Sequence, residues 1–138
     1  MRFGPGPAVL AVILSLGATP ALAVVCQNTS MSLDEVVDVI KAAPGCGGAM
    51  KIFTDCSLGT SGDIRMGEAV EKKCEGDFLG MLKPQQKRTY GDKLNFCNWK
   101  YRNESGTMYR SFSAFCRAEI SQKYSQEALK AASPLRAR

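Results

Sequence analysis

Cysteine is the residue type in this chain best equipped for chemistry: six are present, at positions 26, 46, 56, 74, 97 and 116, and there is no histidine. A thiolate acts as nucleophile or metal ligand only while it is unpaired, and the usual base for activating a serine or cysteine is histidine. No Cys-x-x-Cys spacing occurs and the intervals are wide, so a metal centre is not expected. Carboxylates offer the remaining route. Glu68, Glu71 and Glu75 fall along one side of a helical repeat and could supply the acid pair of a glycoside hydrolase. Lys72 and Lys73 stand among them, however, and a mixed stripe of this kind reads as a solvated face. The glycines at 45, 47 and 48 surround a cysteine and do not join a strand to a helix, so no phosphate loop is read there. The expectation is a protein with no catalytic residues, no metal and no cofactor, which works by contact.

The best contact residues are Tyr109 and Arg110. They lie in the densest run of large side chains, Gly106 to Phe115, where Met108, Phe112 and Phe115 follow a helical repeat and are assigned to the core. Tyr109 and Arg110 fall off that stripe at the start of a helix. An exposed tyrosine beside an arginine is the composition of a binding hot spot.

Residues 1–23 have the order of a secretory signal: Arg2, a largely apolar run from Ala8 to Leu16, and a small-residue site at Ala21-Leu22-Ala23. The run is too short for a spanning helix, which needs roughly 20 residues. Cleavage after Ala23 would leave 115 residues, with 17 Lys and Arg against 13 Asp and Glu and a net charge of +4. The expected product is periplasmic or secreted, has no membrane span, and keeps its cysteines in disulfides. Its cations are interleaved with acids, which argues against nucleic acid as a partner. Asn28-Thr29-Ser30 and Asn103-Glu104-Ser105 fit the glycosylation triplet, which matters only in a eukaryotic host.

The elements that must position these residues read as helices. Ser32-Leu33-Asp34-Glu35 is a capping box, after which Leu33, Val36, Val37 and Ile40 recur at helical spacing until Pro44-Gly45. Cys46 to Gly62 is rich in glycine and reads as irregular, with at most a helical turn at Met50 to Phe53. A second helix begins near Ser61 or Asp63, with Met66, Val70, Cys74, Phe78 and Leu82 inside. Pro84 opens a third, with Tyr90, Leu94, Cys97 and Tyr101 inside. A fourth starts at Thr107, carries Met108, Phe112, Phe115, Cys116 and Ile120 inward, and fades near Ala132. The fold expected is an all-α, four-helix, disulfide-stapled domain over residues 24–132, with a flexible tail at 133–138.

Six cysteines permit many connectivities. A hairpin turning at Gly106 sets Cys97 and Cys116 at matching heights on apolar faces, so these two are expected to pair. A segment folding back along the second helix would join Cys56 to Cys74, and Cys26 and Cys46 flank the first helix in the same way.

In the C-terminal half, Cys74 precedes Phe78, Leu79 and Leu82. Gln86 stands eleven residues before Cys97, and Gly106-Thr107 stand ten and nine before Cys116. Over about residues 56 to 130 this pattern resembles the N-terminal domain of LprI-type lysozyme inhibitors, small exported helical domains of bacteria with paired cysteines. The chain departs from that pattern at Thr89 and Lys93, where the family has Trp and Arg and where Tyr90 is a substitute, and at Tyr124 or Lys123 in place of the arginine of the last helix. The resemblance implies a protein partner, a lysozyme, bound without chemistry. The alternative is a carrier of a small ligand or lipid, with a pocket lined by Phe78, Leu82, Tyr90, Phe112 and Phe115. An internal cavity would favour the carrier, and a filled core with Tyr109 and Arg110 at the surface would favour the partner binder.

Overall fold

The computed structural model describes Cys26 and residues 30–136. The signal read at 1–23 and most of the Asn28 triplet lie outside the described residues. Five helices and no strand are found within them: α1 (Leu33–Ala42), α2 (Cys46–Cys56), α3 (Asp63–Glu75), α4 (Pro84–Lys100) and α5 (Thr107–Arg136). The domain is all-α and stapled by three disulfides.

α1 begins as its sequence dictates. The Glu35 N–H donates to the Ser32 hydroxyl, and the Ser32 N–H donates to the Glu35 carboxylate at 2.6 Å. Glu35 is thereby held below the usual carboxylate range by the Ser32 backbone hydrogen bond. α4 opens on Pro84, with the Lys83 N–H donating to the Gln86 side chain at 2.9 Å.

Where an irregular stretch is expected, α2 forms, so the helices number five. Its glycines at 47 and 48 sit in the first turn, while Cys46, Ala49, Met50, Phe53 and Cys56 recur at intervals of three and four and are all buried. Burial of that stripe and a disulfide at each end outweigh the roughly 1 kcal/mol per residue that helical glycine costs. α3 in turn stops at Glu75, at Gly76, and does not carry on to Leu82. Phe78 is nevertheless buried, in a loop that leads to a 3-10 turn at Leu79–Met81.

The pairing Cys97 with Cys116 is found, with Cα atoms 5.7 Å apart. The other two expected pairs are not. Cys26 bonds to Cys56 and Cys46 to Cys74, at Cα separations of 5.0 and 4.5 Å. The reason is α2 itself. As a helix, it sets Cys46 and Cys56 about 15 Å apart along its axis, and it places Cys46 against the last turn of α3, so Cys56 lies far from Cys74.

Two apolar clusters form the interior. The larger joins α1, α2, α3 and the start of α5, with Ile40, Phe53, Met66 and Val70 buried and Phe115 stacked on Phe53 at 4.2 Å between ring centres. The smaller joins Phe78, Tyr90 and Leu94 with Ile120 and Tyr124, with ring centres 5.0 to 5.3 Å apart.

α5 corrects one further expectation. Met108 and Phe112 point outward, 50 and 42 % exposed, and Phe115, Cys116 and Ile120 are only half-buried. The inward stripe is small: Ser111, Ala114, Ala118, Ser121 and Ser125. Small residues there let α3 approach closely, and at Gly67 a Cβ would lie 3.0 Å from that of Ala114. α5 also runs past Ala132 to Arg136.

Candidate functional site

A groove of about 620 Å³ opens where α3, the end of α4 and the start of α5 meet. The α4–α5 turn that rims it depends on Gly106, whose φ of +112° lies in the left-handed region that side-chain-bearing residues avoid. Cys97 and Cys116 crosslink the two helices just behind it. The walls carry three acids, Glu68, Glu71 and Glu104, and three arginines, Arg102, Arg110 and Arg117, together with Asn98, Tyr101, Tyr109 and Ser113.

The floor is built around an ion pair. Arg117 donates from Nη2 to Glu71 Oε1 at 2.8 Å and from Nε to Oε2 at 3.0 Å, a two-pronged arrangement, and from Nη1 to the Leu94 carbonyl at 3.4 Å. Both side chains are largely out of water, with Glu71 13 % exposed. Burial pushes the Glu71 carboxyl above its ordinary value, and the Arg117 charge opposes that rise. The pair locks α3 to α5 and orients the groove's inner surface.

Tyr109 and Arg110 both line this groove. Arg110 is exposed, whereas Tyr109 is half-buried, its ring edge-on to Phe112 at 5.9 Å and tilted against Tyr101 at 6.2 Å. Tyr109 is therefore a packed wall with one accessible side and not a free side chain.

The stripe Glu68, Glu71 and Glu75 divides into three roles. Glu68 is exposed in the groove, Glu71 holds Arg117, and Glu75 accepts a hydrogen bond from the Tyr90 hydroxyl at 3.0 Å. The Tyr90 oxygen also meets the Ser121 hydroxyl at 2.8 Å. Burial pushes the Tyr90 phenol well above its ordinary value, with the negative Glu75 adding to the effect and the Ser121 hydrogen bond opposing it.

Beneath the groove, buried Asp63 accepts from the N–H groups of Leu58 and Gly59, both at 2.8 Å, and from the Ser111 hydroxyl at 2.6 Å. This carboxylate ties the loop before α3 to the second turn of α5. Sequence reasoning missed Asp63, Arg117 and Arg102 as site builders and read Glu71 as part of a solvated face; the bonds from Asp63 to Ser111 and from Glu71 to Arg117 join residues 48 and 46 apart, which no local spacing signals.

The cysteines are all in disulfides. Among the described residues, no group of three Cys, Asp or Glu side chains is arranged to hold a metal, and no helix is long and apolar enough to cross a membrane. A second, smaller hollow of about 130 Å³ lies between α1 and the Cys26–Cys56 bridge. The carrier lining, Phe78, Leu82, Tyr90, Phe112 and Phe115, forms neither space: Phe78 and Tyr90 pack in one cluster, Phe115 packs in the other, and Phe112 faces outward.

Comparison with protein-family models, curated proteins and solved structures finds no match to this chain.

Proposed function

We propose that this is an exported, non-enzymatic protein of the bacterial envelope that binds another macromolecule through the groove headed by Tyr109 and Arg110, with a lysozyme as the named candidate partner. The observation that carries the reading is the convergence of both contact residues on one groove, held by a disulfide and a part-buried ion pair. A preformed groove of this kind loses little entropy on binding. The family resemblance around Gln86, Cys97, Gly106 and Cys116 supplies the candidate. The carrier reading has no support of this sort, since its lining residues are divided between two packed clusters and the surface.

Charge sets the terms of such an encounter. Common lysozymes are strongly basic, and this chain is net positive, so approach is slowed at low salt and not steered. The groove itself, with three acids facing three arginines, presents no such repulsion at contact. Inhibition should therefore tighten as salt rises from low to physiological, the opposite of an acidic inhibitor. The test is a titration of the oxidised mature protein against several lysozyme types, following cell-wall hydrolysis. The expected outcome is inhibition that saturates near one to one, is lost on reduction, and weakens by about tenfold or more in Arg110→Ala. No effect at a large molar excess on any type removes lysozyme as the partner.

A further inference from the structure

The charges of this chain are divided between its two halves. Residues 30–83 hold nine Asp and Glu against six Lys and Arg, a balance of −3, whereas residues 84–136 hold four against ten, a balance of +6. α4 carries the excess to the surface. It packs chiefly on α5, which leaves its other side open, and between Pro84 and Arg102 five cations (Lys87, Arg88, Lys93, Lys100 and Arg102) are exposed against a single acid, Asp92.

Phe96 and Trp99 stand on that open side, turned away from the buried Tyr90, Leu94 and Cys97. They are 54 and 55 % exposed. The side chains at 96, 99 and 102 form a ladder at one-turn spacing. The Phe96 and Trp99 rings stack with centres 5.5 Å apart, and the Arg102 guanidinium lies 4.3 Å from the Trp99 ring centre while donating to the Trp99 carbonyl at 2.9 Å. Large aromatics this exposed sacrifice burial energy that an interior position would supply.

We propose that the outer face of α4 docks on the surface of a bilayer rich in anionic lipid, with Phe96 and Trp99 entering the headgroup region and the surrounding cations meeting lipid phosphates. The charge excess fits a negative surface, to which Lys and Arg are drawn within a Debye length. The shape selects lipid over a folded acidic partner. The ladder stands on the convex outside of a helix, which a soft interface accepts and which a protein would need a matching hollow to receive. Tryptophan prefers that interface, and the long cation stems reach past it to the phosphates. The α4 helix, about 25 Å long, would lie in the plane of the membrane without crossing it. This face meets the groove only at Arg102, which stands at the rim of both; Phe96 and Trp99 lie outside the groove, and the inference stands whether or not lysozyme is the groove's partner.

Trp99 is the chain's one tryptophan, so its fluorescence reads this face alone. The oxidised mature protein is titrated with vesicles of phosphatidylcholine, and with vesicles containing equal parts phosphatidylcholine and phosphatidylglycerol. The expected result is a blue shift and protection from iodide with the anionic vesicles only, quenching by lipids brominated in the acyl chain, and reversal by high salt. Arg88→Gln with Lys100→Gln, both at exposed positions, should weaken partition about twentyfold, and Phe96→Ala by about fivefold. No spectral change with anionic vesicles overturns the proposal. So does an equal shift with soluble polyglutamate accompanied by no acyl-chain quenching, which would assign the face to a polyanion and not to lipid.

Discussion

Arg117 and Glu71 are the residues on which the groove most depends, and their coupling has a testable pH dependence. Replacing Arg117 by Met leaves the Glu71 carboxylate largely buried without its counter-charge, which should cost about 2 kcal/mol at neutral pH. Glu71 already sits above its ordinary value through burial, and loss of the opposing Arg117 charge raises it further. The folded protein then binds the proton more tightly than the unfolded chain. The cost should accordingly be largest at neutral pH and shrink as pH falls through the raised value. Denaturant melts of both proteins from acid to neutral pH check this, and a cost that does not vary with pH would show that the charge is not what Arg117 compensates. At this scale little was legible in advance. Glu71 and Arg117 stand 46 residues apart, and residues that far apart leave no periodic trace of a contact. Tyr109 and Arg110 are singled out by a repeat whose inward stripe is misplaced, since Met108 and Phe112 face solvent; both line the groove, Arg110 exposed and Tyr109 as a half-buried wall.

Among the elements, α3 and α5 make the closest approach, and glycine decides it. Gly67→Ala would place a Cβ 3.0 Å from the Ala114 Cβ and 3.2 Å from the Ala114 carbonyl oxygen, and backbone cannot give way as a flexible side chain can. This substitution should destabilise by about 1 to 3 kcal/mol. Gly91 of α4 has nothing within 4 Å of its would-be Cβ, so Gly91→Ala should stabilise by roughly 0.5 to 1 kcal/mol through lost unfolded-state freedom. Paired thermal melts distinguish the two, and equal effects would mean that helix propensity and not packing governs both sites. Helix starts were the most legible elements, because a capping box at Ser32 and a proline at Pro84 act within one turn. α2 was not legible, since its glycines read as breakers and only burial against α1, α3 and α5 repays them.

For the whole molecule, the disulfides divide the work. Cys26–Cys56 and Cys46–Cys74 pin the two ends of α2, and Cys97–Cys116 closes the α4–α5 hairpin. Replacing Cys97 and Cys116 together by Ala removes a crosslink spanning a separation of 19 residues, which the chain-entropy account values at about 3 kcal/mol. The midpoint in urea should fall accordingly while the helix content by circular dichroism is retained. Loss of helical signal without denaturant would mean that the crosslink is needed for folding itself.

The helical class, the stapling by cysteines and the Cys97–Cys116 hairpin followed from the chain alone, because capping, apolar periodicity and a turn at Gly106 are properties of neighbouring residues. The other two disulfides, the small inward stripe of α5 and the groove's ion pair did not. Each depends on how closely and in which direction one helix meets another. Gly67 lets α3 sink against Ala114, and that approach turns Met108 and Phe112 to solvent and brings Arg117 to Glu71. The direction in which α2 runs along α3 likewise sends Cys46, and not Cys56, to Cys74. Such choices belong to packing, where many distant contacts compete and only the assembled interior decides among them.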